Sequence, residues 1–180
     1  MITHCLYNNS APSILDLGSC VGRHSLYARR CRPEAKITVV ESDTKLRQHC
    51  LDTFQPHAAY ADFSDISIGL DFDVVFMLGL GLGIFGDEDR TRQGLLDVLA
   101  RLKPGGSLLI EGGKSTPGEF TTQRFSIRYG QDQDEPFNWG YATFDWLQNT
   151  LENNGQVKLS RRCRTSNGDN YFICQINKLD

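Results

Sequence analysis

The chain has 180 residues, enough for one domain with a substantial core, and its 39% hydrophobic and 23% charged composition is that of an ordinary soluble globular protein. A formal net charge of −3 gives no overall basic field to draw nucleic acid, and no apolar run approaches the roughly 20 residues that a membrane helix needs. The opening Met-Ile-Thr-His-Cys-Leu-Tyr lacks the basic-then-apolar shape of a secretory signal.

Residues 1–12 read as a short polar lead-in ending at Pro12. Ile14, Leu15 and Leu17 then form a buried strand with Asp16 near its end. Gly18 and Gly22 bracket a tight turn, and Arg23 to Cys31 is a helix stopped by Arg32-Pro33, where proline cannot continue the ladder. Strand, glycine turn and helix together make a cradle for a nucleotide-like cofactor. Ile37 to Glu41 is a second strand, dense in β-branched residues, that ends on an acid about twenty residues after the turn. Asp43 caps a helix from Thr44 to Phe54 whose Leu46 and Leu51 suit one buried face. His57 to Tyr60 is a weak third strand, followed by Ala61-Asp62-Phe63. Phe72 to Leu78 is a fourth strand that runs into the uncharged loop Gly79-Leu80-Gly81-Leu82-Gly83.

Asp87, Glu88 and Asp89 open the next helix, where acids complement the dipole, and Leu95, Leu96, Val98, Leu99 and Leu102 give it an apolar stripe. Lys103-Pro104-Gly105-Gly106 turns the chain into a fifth strand, Ser107 to Glu111. Residues 112–142 read as irregular and polar, with six interleaved aromatics: Phe120, Phe125, Tyr129, Phe137, Trp139 and Tyr141. Thr143 caps a helix carrying Phe144, Trp146, Leu147 and Leu151, closed by Asn154-Gly155. Val157 to Arg164 and Tyr171 to Asn177 form a hairpin about Ser-Asn-Gly-Asp. Alternating β and α units require an open, mostly parallel sheet, and the terminal hairpin requires one antiparallel strand. Cys5, Cys20, Cys31, Cys50, Cys163 and Cys174 form no C-x-x-C pair and no zinc spacing, as expected of free thiols in the cytoplasm. Whether Cys163 and Cys174 face each other across the hairpin turns on one residue of register.

In this order the motifs resemble those of the class I S-adenosylmethionine-dependent methyltransferases, and the resemblance spans about Ser13 to Asn177. Leu15-Asp16-Leu17-Gly18-x-x-x-Gly22 is similar to the family's first motif, Val40-Glu41-Ser42-Asp43 to its acidic second strand end and Ala61-Asp62-Phe63 to the loop flanking adenine. Phe72-Asp73-Val74-Val75 resembles the strand facing the transferred methyl, and Leu102-Lys103-Pro104-Gly105-Gly106 the turn before strand five. The resemblance implies a single domain over 1–180. Its fold is an α/β, Rossmann-like, seven-stranded mostly parallel sheet with helices on both faces and an antiparallel strand in a C-terminal hairpin. Cys20 departs from the pattern, standing where the family usually has glycine. A cysteine still lets the backbone turn there if its dihedrals are ordinary, and it adds a side chain beside the cofactor.

The resemblance further implies S-adenosyl-L-methionine as cofactor, held by Asp16, Gly18, Ser19, Cys20, Gly22, Glu41, Ser42, Asp62, Phe63, Met77, Leu78 and Gly79. Asp16 would hold the ammonium, Glu41 the two ribose hydroxyls, Asp62 the adenine amino group and Phe63 the ring face, while Met77, Leu78 and Gly79 would line the sulfonium side. Each has a structural alternative: Asp16 a helix-proximal acid, Phe63 core packing, His24 a satisfied structural histidine. The acceptor region, beyond the strand ends, comprises Gly79 to Phe85 and residues 112–142, with Phe85, Trp139 and Tyr141 as contacts for an apolar or planar acceptor. Asp87, Glu88 and Glu111 are candidates for a base that remains unassigned; for the first two a helix cap is the alternative. Arg161, Arg162 and Arg164 read as protection of an edge strand in preference to an RNA contact. With only 12 residues before the first strand, the resemblance implies a more open site, or one closed by residues 112–142, by a homodimer or by a partner subunit.

The leading expectation is methyl transfer to an oxygen or nitrogen of a small molecule by in-line displacement. The alternatives are a non-catalytic subunit of the same fold that binds a partner protein, and a methyltransferase acting on RNA or protein. A nicotinamide dehydrogenase fits the Lys-Pro-Gly-Gly turn and the terminal hairpin poorly.

Overall fold

The structure, a computed structural model, describes residues 2–6, 11–65, 67–113, 119–126, 128–129, 132–133, 135–152, 157–165 and 168–179. A short helix α1 (Ile2–Leu6) leads into β1 (Ser13–Leu17), α2 (Arg23–Cys31), β2 (Lys36–Val40), α3 (Thr44–Phe54), β3 (Ala58–Tyr60) and β4 (Phe72–Met77). A 3-10 turn at Gly81–Gly83 precedes α4 (Glu88–Arg101) and β5 (Leu102–Gly113). Then come β6 (Phe120–Phe125), β7 (Arg128–Tyr129), β8 (Asp132–Gln133), β9 (Phe137–Ala142), α5 (Phe144–Glu152), β10 (Val157–Thr165) and β11 (Gly168–Lys178).

Seven strands form one sheet in the order β10-β11-β5-β4-β1-β2-β3. β1, β2, β3, β4 and β5 pair in parallel, and β11 runs antiparallel to both of its neighbours. A parallel sheet needs both faces covered, and alternate residues of each strand go to opposite covers. Leu15, Leu17, Val75, Met77, Leu108 and Ile110 pack toward α4 and α5. Ile14, Ile37, Val39, Val74, Phe76 and Leu109 pack with Leu6, Ala28 and Cys50 from α1, α2 and α3. The expected fold class is the observed one.

Local departures have identifiable causes. The polar lead-in contains α1, whose Leu6 is buried and whose Thr3 hydroxyl lies 2.8 Å from the Tyr27 hydroxyl of α2. On α3, Leu51 is exposed and the inward stripe runs through half-buried Leu46, buried Cys50 and half-buried Phe54, spaced one turn apart. Leu96 of α4 is likewise exposed, with Thr91 and Gly94 taking its place on the buried face. Lys103-Pro104-Gly105-Gly106 does not end the helix ahead of a separate strand. It bulges out of β5, between the Leu102–Phe72 and Ser107–Val74 pairs, and Lys103 Nζ reaches Asp73 at 3.0 and 3.1 Å.

The largest correction concerns residues 112–142. β6 and β9 form an antiparallel pair, with Phe120 opposite Ala142 and Phe125 opposite Phe137. Phe137, Trp139 and Tyr141 alternate at the strand period, and Phe125 joins them at ring distances of 6.1 Å to Phe137 and 6.3 Å to Tyr141. Phe120, on the opposite face, packs 5.0 Å from Trp146 of α5. β10 is an edge strand, as expected for its arginines, whose side chains lie outside the described ones. Its register sets Cys163 against Ile173 and Cys174 against Arg162, so the two cysteines are not cross-strand partners. Asn154-Gly155 and the Ser166-Asn167 half of the hairpin turn lie outside the described residues.

Candidate functional site

The C-terminal ends of β1, β2, β4 and β5 open at one edge of the sheet. The turn after β1 is strapped to β2, because the amides of Gly18 and Ser19 both donate to the Val40 carbonyl, at 2.9 and 3.2 Å. Gly22 adopts φ 72°, and a Cβ there would fall 2.4 Å from the Phe54 ring, so α3 can close on the turn only where the side chain is absent. The dihedrals of Cys20 are not ordinary: its φ is 51°, in the left-handed region that costs an L-residue about 1–2 kcal/mol. Bonds on both sides hold it there. Its amide donates to Glu41 Oε2 at 2.8 Å, and its carbonyl accepts from Cys50 Sγ at 3.3 Å. Burial pushes the Cys50 thiol up, leaving it a protonated donor.

Glu41 lies just past β2 and holds the turn with both oxygens. Oε2 takes the Cys20 amide and Oε1 the Asp43 amide at 2.9 Å. A carboxylate has about four lone-pair positions, so each oxygen keeps one for a ligand hydroxyl. Arg47, from α3, donates to the carbonyls of Glu41 at 2.5 Å and Ser42 at 3.1 Å and fixes this corner. Asp43 caps α3 as expected, accepting from the amides of Lys45 and Leu46 at 2.8 and 2.9 Å.

Asp16 is only 1% exposed and accepts the Ser25 hydroxyl at 2.6 Å. Burial raises its pKa from 3.8 to about 6 against the opposing pull of the Ser25 bonds, and the charge of Glu41 adds to the rise. A buried carboxyl of this kind gains from a cation at the mouth. Ser19 is also buried, 3.9 Å from the Cys50 sulfur, whereas Ser42 is exposed.

At the end of β4, Met77 enters the α4 side of the core, and Leu78, just past the strand, enters the α2 side. Gly79 turns at φ 72° with open space where a Cβ would be, and its amide donates to Glu111 Oε2 at 2.7 Å. Asp62 is exposed and its oxygen takes the Ser64 amide at 2.8 Å, which lowers its pKa. Phe63 is packed, with Phe85 at 6.1 Å and the Arg101 guanidinium 4.8 Å over its ring. The structure thus brings Asp16, Gly18, Ser19, Cys20, Gly22, Glu41 and Ser42 into one corner and gathers Met77, Leu78 and Gly79 with Glu111 beside it. Phe63 is committed to the α4 side.

On the acceptor side, Phe85 lies against α4, where a Cβ on Gly94 would meet its ring at 2.5 Å. Trp139 lies against Gly83 of the 79–86 loop, whereas Tyr141 follows it on the aromatic face of β9 and packs 6.3 Å from Phe125 of β6. Asp87 caps α4 by accepting the Arg90 amide at 2.9 Å. Glu88 accepts from the Trp146 indole at 2.9 Å and from Arg92 at 2.7 Å, bonds that hold its carboxyl below the usual range. Both acids are spent on structure. Glu111 is the candidate that remains at the mouth. Sequence reasoning missed Arg47 and the Glu111–Gly79 bond; an arginine six residues after the strand-end acid was the available signal for the first. Among the described residues no group of three or more His, Cys, Asp or Glu could hold a metal ion, and no helix is long and apolar enough to cross a membrane.

This corner can serve a ligand that bears a diol and a cation. Glu41 offers two remaining acceptor positions, Asp16 a carboxyl raised by burial, and Gly79 an open approach. No family model and no curated protein matches the chain by sequence. Solved structures do. One is a SAM-dependent methyltransferase from Bacteroides fragilis in complex with S-adenosyl-L-homocysteine, 18% identical, with TM-score 0.77 over 100% of this chain and 78% of that one. A second is the 1,6-didemethyltoxoflavin-N1-methyltransferase of Burkholderia thailandensis, 16% identical, with TM-score 0.71 over 99% of this chain and 77% of that one. A third is a sugar N-methyltransferase from a Streptoalloteichus species, 14% identical, with TM-score 0.70 over 99% of this chain and 85% of that one. At these identities the fold is what is shared: the chain has the fold of the class I S-adenosylmethionine-dependent methyltransferases.

Proposed function

We propose that the protein transfers the methyl group of S-adenosyl-L-methionine to an oxygen or nitrogen of a small molecule by in-line displacement. The observation that carries this reading is Glu41, whose two oxygens brace the glycine turn and the start of α3 while each keeps a lone pair for one ribose hydroxyl. Asp16 favours the ammonium, Gly18 to Gly22 let the backbone approach the methionine moiety, and Leu78 and Gly79 flank the sulfonium. Asp62 would bond the adenine amino group. The methyl on a sulfonium is already activated, so holding nucleophile, carbon and sulfur in line supplies much of the acceleration. Two of the similar structures are N-methyltransferases named for small acceptors, which supports an acceptor of that size. The same reading takes residues 1–180 as one cytoplasmic domain whose mouth is closed by β6 and β9, by a second copy or by a partner subunit.

Calorimetry with S-adenosylhomocysteine tests the reading. We expect micromolar binding, weakened at least ~100-fold by Glu41→Ala through the loss of two charge-assisted bonds. Glu41→Gln, which still accepts one hydroxyl and can keep one turn bond, should fall between the two. No heat from the intact protein would refute the assignment.

A further inference from the structure

A cavity of about 320 Å³ lies between α1, α2 and the sheet, beside the mouth. Ile2, Leu78 and Ile173 wall it, and His24, Tyr27 and Glu111 bring polar groups to it. Glu111 is pinned by the Gly79 amide through Oε2, which leaves Oε1 unengaged by that bond and fixes a carboxylate where β4 opens. Tyr27 is tied through its hydroxyl to Thr3, so α1 stays over the cavity. His24 lies in the first turn of α2, two residues past Gly22, and is half-buried. The charged groups acting on it are Arg23 of its own helix, whose Nη2 is 3.5 Å from His24 Nε2, and Glu111 of β5. Burial and Arg23 lower its pKa below 6.5, and Glu111 pulls it back only in part. At neutral pH the cavity therefore presents a fixed carboxylate and a neutral imidazole between apolar walls. A carboxylate so placed selects a cation over a neutral hydroxyl, and an imidazole without a proton can take one.

We propose that this cavity is the acceptor site and that it takes a small primary or secondary amine, paired with Glu111 and deprotonated by His24. This rests on the methyltransferase reading above and narrows it to nitrogen. The amine enters as its ammonium and gives one proton to the His24 imidazole. The freed nitrogen lone pair forms the N–C bond as the C–S bond breaks, and that electron pair stays on sulfur as a neutral thioether. The imidazolium then returns its proton to water.

The probe is benzylamine, added to protein saturated with S-adenosylhomocysteine, with the His24 ring followed by NMR. A saturable shift of the His24 resonances is expected, at least ~10-fold weaker in affinity for benzyl alcohol and in Glu111→Gln, whose side-chain oxygen still accepts the Gly79 amide. With S-adenosylmethionine and benzylamine, His24→Asn should lower kcat ~100-fold near pH 7 and far less near pH 9.5, where free amine is abundant. If S-adenosylhomocysteine binds but benzylamine leaves His24 unmoved, or benzyl alcohol binds as tightly, the amine site is overturned and the methyltransferase reading survives. A loss in His24→Asn that is equal at both pH values, or an absence of methylated benzylamine, removes the deprotonation step. If S-adenosylhomocysteine gives no heat, both readings fall.

Discussion

Asp16 shows how a single buried side chain sets a pH dependence of stability. The folded chain holds its proton up to about pH 6, whereas the unfolded chain releases it near 3.8. Between those values the folded state binds more protons, so this group makes stability fall as pH rises from about 4 to about 6, by up to ~3 kcal/mol. Asp16→Asn keeps the acceptor for Ser25 and removes the titration. It should raise stability in urea at pH 7.5, change it little at pH 4, and weaken S-adenosylhomocysteine binding. Equal effects at both pH values would contradict the burial argument. Cys20 offers a second test. A β-branched residue tolerates the left-handed region less well, so Cys20→Val should lose about 1–2 kcal/mol in denaturant titrations and weaken cofactor binding, because the same backbone amide braces Glu41. The sequence made the acids of this corner legible, since strand ends and spacing locate them. It could not reveal the Cys20 conformation or the Glu111–Gly79 bond, since both arise from contacts between segments far apart in the chain.

At the scale of elements, helix and strand positions follow closely from periodicity and caps, as Asp43 before α3 and Asp87 before α4 illustrate. The pair β6 and β9 was concealed by its polar composition, although Phe137, Trp139 and Tyr141 carry the period of a strand. What anchors that pair is a close backbone approach: a Cβ on Gly83 would lie 2.2 Å from the Gly140 carbonyl oxygen and 2.3 Å from Trp139 Nε1. Gly83→Ala should therefore push β9 outward, at a cost of about 1–3 kcal/mol. Denaturant unfolding gives the magnitude, and a red shift of Trp139 emission in a Trp146→Phe background reports the displacement. An unchanged emission maximum would mean that β9 is not seated on this loop.

For the whole molecule, the β-α alternation made the parallel sheet legible and the short terminal turn required an antiparallel strand, but neither located that strand within the sheet. β11 is an interior strand, between β5 and β10, and contributes Phe172, Cys174 and Ile176 to the core. Removing residues 157–180 should leave the flank of β5, with Leu108, Leu109 and Ile110, as an open apolar edge. That variant should sediment as aggregates in analytical ultracentrifugation, and a monodisperse soluble species would argue that β5 can stand as an edge. The same geometry imposes a schedule on synthesis. Roughly 60 residues separate Gly113 from Tyr171, which at ~5–20 residues per second is a delay of ~3–12 s. Through that interval the nascent chain exposes the edge of β5 with no partner for it, so its yield in a cell depends on what shields the chain while the ribosome is still at work.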